Sequence, residues 1–229
     1  MISGAEEVFS SGGFCFGRGG FHRNRARRLP RGEDFEVRPD RQEERGMKPD
    51  AAAVERELRL VASPEKAKIL ARFFRTGRGE YGEGDVFLGV TVPESRRVAE
   101  RNRSLPLSEI RKLLASPIHE VRLVALLALV HNFQSGNTAI RKRIYHFYLA
   151  HAARVNSWDL VDLSAEKIVG AYLGERGRGI LATLARSKNL WERRIAIVAT
   201  FSYIKKGEYR DTFRIAEMLL RDPHDLIHK

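Results

Sequence analysis

The sequence predicts an all-α fold built from repeated helix pairs, on three observations. From Met47 onward apolar residues recur with the helical period, and strand signals are almost absent. The expected helices follow one another with short breaks, as antiparallel neighbours do. Two stretches also share a signature at an offset of 71 residues: Ser116, Arg122, Ala125, Leu126 and Ala128 match Ser187, Arg193, Ala196, Ile197 and Ala199. Half that offset is a helix pair of about 36 residues, just under the period of HEAT repeats. Each unit leaves an apolar face that only its neighbours can cover. The expected architecture is therefore a HEAT-like solenoid of antiparallel helix pairs with a concave, basic surface.

Along the chain, residues 1–46 hold 8 of the 19 glycines and the sole cysteine, Cys15, without a periodic apolar face. They read as a disordered arm, or as translation from a start upstream of Met47. A first helix is expected over Asp50 to Val61 and a second over Pro64 to Phe74, opened by Ser63 as N-cap with Pro64 in the first helical position and stopped by Gly77. Four glycines then fall between Gly77 and Gly84. No strand signal precedes them and no Gly-Lys-Ser/Thr follows, so the stretch reads as a structural loop leading to Val86–Val92, not as a phosphate loop. Further helices are expected over Pro93 to about Asn102, Leu107 to Ala115, Ile118 to Phe133, Thr138 to Val155 and Trp158 to Leu173. Three more run over Ile180 to Ser187, Leu190 to Lys206 and Tyr209 to Leu220. Asp222-Pro223 echoes Ser116-Pro117 and opens a unit that the chain does not complete. Residues 47–229 are thus expected to form one domain truncated at its C-terminus, with an apolar face exposed there.

Charge narrows the partner. The 41 Lys and Arg outnumber the 29 Asp and Glu, giving +12. Residues 1–46 carry only +1, which leaves +11 on the helical body and makes a polyanion the expected partner. One cysteine forms no internal disulfide and fits a reducing cytoplasm. The longest apolar run, Leu123 to Val130, falls far short of the roughly 20 residues that span a bilayer. His119, His131, His146 and His151 show no ligand spacing with acids, so no metal or cofactor is expected.

Two segments carry candidate chemistry. Ser157 is expected to cap a helix on which Trp158 and Asp162, four residues apart, share a face. The structural alternative has Trp158 filling space between repeats while Asp159 and Asp162 answer the positive helix terminus. One helix pair later, Asn189-Leu190-Trp191-Glu192-Arg193-Arg194 places Arg194 three residues after Trp191. Stacking of repeats brings equivalent first turns side by side, so Trp158, Asp162 and Arg194 are expected to converge. Arg193 matches Arg122 and reads as an inter-repeat structural arginine, whereas Arg194 is matched by Leu123.

With Ile118-His119-Glu120-Val121-Arg122 and Phe147-Tyr148-Leu149-Ala150-His151, these segments resemble the AlkD-like DNA alkylation-repair glycosylases, a family of HEAT-like repeats. The resemblance covers roughly residues 47–229. It implies that Trp158, Asp162 and Arg194 line an active cleft and excise N3- and N7-alkylated purines without a metal, leaving the lesion in the helical stack. Such a purine is already cationic, so no general acid is needed. Asp162 would stabilise the positive charge growing on the deoxyribose, Trp158 would offer its π face to it, and Arg194 would hold the adjacent phosphate. Duplex DNA is the expected partner of a monomeric, cytoplasmic and nucleoid-associated protein. Its expected contacts are Arg193, Trp191, Lys188 and Arg186, within a wider footprint that includes Arg141, Lys142, Arg143, Lys205 and Lys206. The alternative is a HEAT-like scaffold that binds DNA or protein without chemistry.

Overall fold

The computed structural model describes residues 49–229 except residue 175, and the arm expected over residues 1–46 lies outside the described residues. The first three helices begin where a side chain serves the free N–H groups of a first turn. Asp50 accepts the Ala53 N–H at 2.7 Å and opens α1 (Ala51–Leu60). Ser63 accepts from Lys66 and opens α2 (Pro64–Phe73), and Thr91 with Glu94 closes a capping box on α3 (Val92–Arg101). There follow α4 (Leu107–Leu114), α5 (His119–Ser135), α6 (Thr138–Ala150), α7 (Trp158–Ala165), α8 (Ala171–Leu173) and α9 (Gly179–Ala185). The last are α10 (Leu190–Ala199), α11 (Phe201–Ile204), α12 (Arg210–Leu219) and α13 (Asp225–His228). The described residues include no strand. Val86 and Ile118 form one isolated parallel bridge.

Helix α5 is apolar around most of its circumference and buried along most of its length, as a helix enclosed by others must be. It packs against α3, α4, α6 and α7. In turn α7 packs on α10, and α10 on α9, α12 and α13. The pairs α4/α5 and α9/α10 are the two copies separated by 71 residues, and their arginines confirm it. Arg122 donates to the Ser116 carbonyl at 2.9 Å, and Arg193 to the Ser187 carbonyl at 3.1 Å. Each then bonds a carboxylate from a neighbouring segment, Asp85 and Asp222 respectively. The protein has an all-helical repeat fold, and none of its described helices is long and apolar enough to cross a membrane.

Three boundaries differ from expectation for local reasons. Helix α2 ends through Arg75, which sits in the left-handed region at φ 51°, and not through Gly77. The helix expected over Thr138–Val155 stops at Ala150 and continues only as a 3₁₀ turn, Ala152–Arg154. The one expected over Leu190–Lys206 breaks at Thr200, whose buried hydroxyl donates back to the Ile197 carbonyl at 2.7 Å. The stretch Trp158–Leu173 runs through a π-helical turn, Glu166–Gly170. Gly170 closes that turn because nothing larger fits: a Cβ there would lie 2.2 Å from the Ala199 carbonyl oxygen and 2.8 Å from Ser202 Cβ. Phe213 and Leu220 stand exposed on and just after α12.

Gly170→Ala is therefore expected to destabilise the fold by about 1–3 kcal/mol through overpacking. Urea unfolding would show this as a lower midpoint at unchanged slope, and an unaltered midpoint would refute the close approach.

Candidate active site

Helix α7 packs on both α5 and α10, and α10 on α13, which brings together residues far apart in sequence. Beside α7, α10 and α13 lies a cleft of about 430 Å³ lined by Phe73, Tyr81, Trp158, Asp162, Arg194 and Leu226, with Arg75, Asp225 and Lys229 around it. Trp158, Asp162 and Arg194 thus converge as expected, and their contacts define what each can do.

Asp162 and Arg194 form a two-pronged ion pair across α7 and α10. Nε donates to Oδ1 at 2.9 Å and Nη2 to Oδ2 at 2.7 Å. The third nitrogen, Nη1, donates to the Leu226 carbonyl. Only 9% of the Arg194 side chain is exposed, against 39% of the Asp162 side chain. The guanidinium is therefore a buried brace, and the carboxylate is the member of the pair that faces the cleft. Three of its five N–H donors are used inside the protein, by Asp162 and the Leu226 carbonyl, which leaves one N–H on each terminal nitrogen for the phosphate contact expected of Arg194.

Trp158 is neither plain filler nor freely exposed. It stacks on Phe74, with ring centroids 5.4 Å apart and planes 15° apart, and meets Phe73 edge-on at 6.1 Å. Phe74 stacks in turn on Phe87 at 5.0 Å, and Phe87 on His119 at 4.6 Å. An aromatic column thus supports the indole from behind while its remaining surface lines the cleft.

Under that column lies a buried charge network that no sequence motif announced. His119 sits between Asp159, 2.8 Å from Nε2, and Asp85, 3.1 Å from Nδ1, and Arg122 reaches the same Asp85 at 2.6 Å. Burial pulls the His119 pKa down, yet the charge and hydrogen bond of Asp159 and the hydrogen bond of Asp85 outweigh it and leave the imidazole at about 9. For Asp159 burial acts upward, and the charged His119 more than offsets it, so its carboxyl lies below the ordinary range. The two acids of the Trp158–Asp162 segment therefore part ways. Asp159 is locked inside, and Asp162 is presented outside. Ser157 occupies the cap position of α7, but its hydroxyl takes no N–H of the first turn.

The flanking expectations divide similarly. Trp191 is buried and meets Tyr81 edge-on at 6.0 Å, while Arg193 is held by Asp222 and by the Ser187 and Lys188 carbonyls. In these contacts Trp191 serves packing and Arg193 ties the start of α10 to Asp222. Arg186 and Lys188 are exposed at the turn between α9 and α10. Arg141 donates to the Phe133 and Gln134 carbonyls and caps α5. Sequence reasoning missed Phe73, Phe74, Arg75 and Tyr81, and the loop read as structural supplies Tyr81 to the cleft and Asp85 to the network.

A helical-repeat protein with an acid, an indole and an arginine gathered at the aligned ends of successive repeats belongs to a narrow class. This chain is a member of the DNA alkylation repair enzyme family, whose family model matches residues 54–229. It is also similar to a solved structure described as a predicted DNA alkylation repair enzyme from Enterococcus faecalis. That likeness has a TM-score of 0.53 and 18% identity over 72% of this chain and 78% of the other, and it concerns the fold. Comparison with curated proteins gives no match.

The His119 network makes a signed prediction about pH. Its folded pKa, about 9, lies above the ordinary 6.5, so its stabilising contribution is present in full below pH 6.5 and is lost as pH rises through about 9. Relative to His119→Gln, the wild-type advantage in urea midpoint is expected to shrink between about pH 6 and pH 10. An advantage that stays constant over this range would mean that His119 is not charged in the folded protein.

Proposed function

We propose that the protein acts in DNA repair as a monofunctional glycosylase that hydrolyses the N-glycosidic bond of cationic N3- or N7-alkylated purines in duplex DNA. The observation that carries this reading is the disposition of Asp162, a carboxylate braced from one side by Arg194 and open on the other to a cleft walled by Trp158. Membership of a DNA alkylation repair family supports DNA as substrate.

The chemistry asks little of the enzyme in acid catalysis. The alkylated purine carries a positive charge and departs as a neutral base when the bond to C1′ breaks. Positive charge then grows on the deoxyribose, and Asp162 lies where a fixed carboxylate can meet it. The two donors of Arg194 use one acceptor position on each carboxylate oxygen, and an ionised carboxylate has about four, so the others remain for a water molecule or the sugar. Water oriented by Asp162 adds to C1′ and passes its proton to that carboxylate, which returns it to solvent. The brace matters because a carboxylate that swung with each substrate would lose its stabilisation to reorientation. Trp158, held by its aromatic column, shields the reacting centre from bulk solvent and offers π density to the cation. Arg186 and Lys188, both exposed, are the sequence-expected DNA contacts whose side chains remain open to this role.

Purified protein is expected to release N7-methylguanine or N3-methyladenine from methylated duplex DNA. Asp162→Asn should lower the rate by about 10²–10³-fold, as loss of a preorganised charge does, with duplex binding retained. Absence of release by the wild type across a range of salt would sink the glycosylase reading and favour a non-catalytic scaffold.

A further inference from the structure

The cleft has a surplus cation. Its charged residues are Arg75, Arg194 and Lys229 against Asp162 and Asp225. Arg194 is committed to Asp162, and Lys229 bonds Asp225 at 2.7 Å. Arg75 alone has no ion-pair partner among the described residues, and its side chain is exposed at the cleft. Its backbone is unusual as well. At φ 51° it occupies the left-handed position that ends a helix, a place where glycine is favoured and other residues cost roughly 1 kcal/mol. The conformation is held in place: the Arg75 N–H donates to the Arg72 carbonyl at 3.3 Å, and the Gly82 N–H donates to the Arg75 carbonyl at 3.1 Å. Gly82 must be glycine for that return contact, since a Cβ would lie 2.3 Å from the Phe74 carbonyl oxygen. A loop clamped in this way aims one unpaired guanidinium into the space that Asp162 and Trp158 border.

Resting on the DNA reading above, we infer that Arg75 is the phosphate-binding residue of the cleft and seats a backbone phosphate beside the damaged nucleotide. It stands exposed at the cleft, whereas Arg194 is buried and gives three of its five N–H donors to Asp162 and the Leu226 carbonyl. A guanidinium binds two phosphate oxygens side by side, and one such contact both fixes the strand and keeps Asp162 from repelling it. Because a single phosphate is involved, the contact is sequence-independent and lowers the salt sensitivity of binding when removed.

The test is binding of the full chain to short duplexes bearing a reduced abasic site, followed by fluorescence anisotropy over a salt series. Arg75→Gln is expected to weaken binding roughly tenfold, the worth of a charged hydrogen bond, and to reduce the slope of log K against log salt by about 0.9. Arg75→Gly, which suits the left-handed backbone, should show the same loss of slope while melting at or above the wild-type temperature, separating binding from folding. Duplexes carrying one neutral methylphosphonate at each position flanking the site supply the local readout. One of them should weaken the wild type but leave Arg75→Gln unaffected. A wild-type slope in Arg75→Gln, or equal sensitivity of both proteins at every flanking position, would overturn the assignment while leaving the glycosylase reading intact. A wild type that binds no duplex would overturn both.

Discussion

A guanidinium buried in a helix bundle must find acceptors for its donors, because leaving a buried charge without its partner costs about 3–5 kcal/mol. Arg194 meets this requirement with Asp162 on α7 and the Leu226 carbonyl on α13, so one side chain on α10 ties three helices together. The rest of the site follows from that constraint. With α7 and α10 held in register, Trp158 faces the cleft one turn before Asp162, and the loop after α2 comes to lie across the open side. Apolar packing between α7 and α10 would tolerate small slides. The paired geometry of carboxylate and guanidinium does not, which is the usual reason to keep an ion pair where hydrophobic residues would stabilise as well.

The division of labour between Asp159 and Asp162 shows how burial, more than sequence position, assigns a carboxylate its work. Both stand in the first turn and a half of α7. Asp159 points inward, loses water and keeps its charge through the protonated His119, which Asp85 and Arg122 enclose from the other side. The balance there is of unlike charges at close range, and its effect is to anchor α7 on α5. Asp162 points outward, and its one internal partner leaves part of it free. Trp158, just before both, rests on a column of rings that ends at His119 itself. Movement of the imidazole would thus be felt both at the indole and at the base of the helix that carries Asp162.

Much of this was legible in the sequence, and the gaps have physical causes. Caps such as Ser63 and helical periods such as that of α5 are local properties, and they placed most helices within a few residues. The equivalence of Arg122 and Arg193 was legible because repeats reuse a contact, here to the carbonyl of Ser116 or Ser187. The meeting of Trp158, Asp162 and Arg194 followed from repeat stacking. What Arg194 does was not legible, since proximity alone does not say whether an arginine faces a phosphate or a carboxylate. Partners from the loop after α2 were hidden more deeply. Asp85 and Tyr81 lie in a glycine-rich stretch without periodicity, and their contacts to α5 and α10 depend on a chain path that no local spacing encodes. The break at Thr200 and the π turn before Gly170 arise from close packing between helices, which a helical period does not register.

The net charge acquires a different meaning once its members are located. A body carrying nearly all of +12 suggests a broad phosphate-binding surface, yet several of its arginines are consumed by the fold. Arg122, Arg193 and Arg194 join repeats, Arg141 caps α5, and Arg178 is held by Glu208 and Asp211 while lying over the Tyr203 ring. Each of these gives donors to an acid or a carbonyl inside the protein, which spends its hydrogen bonds but leaves the net charge as it was, since that sum already subtracts the acids. Direct contact with a polyanion falls to the cations that are exposed and without an ion-pair partner among the described residues, such as Arg75, Arg96, Arg97, Lys142, Arg143, Arg186, Lys188 and Lys206. Those cations lie on α3 and α6, beside α9 and α11 and in the loop after α2, so the excess charge forms a broad surface and is not confined to the cleft. The long-range field of such a spread is screened by salt within about 10 Å, whereas the placement of any one group beside Asp162 depends on the local geometry of the cleft, so the two properties are set by different parts of the sequence.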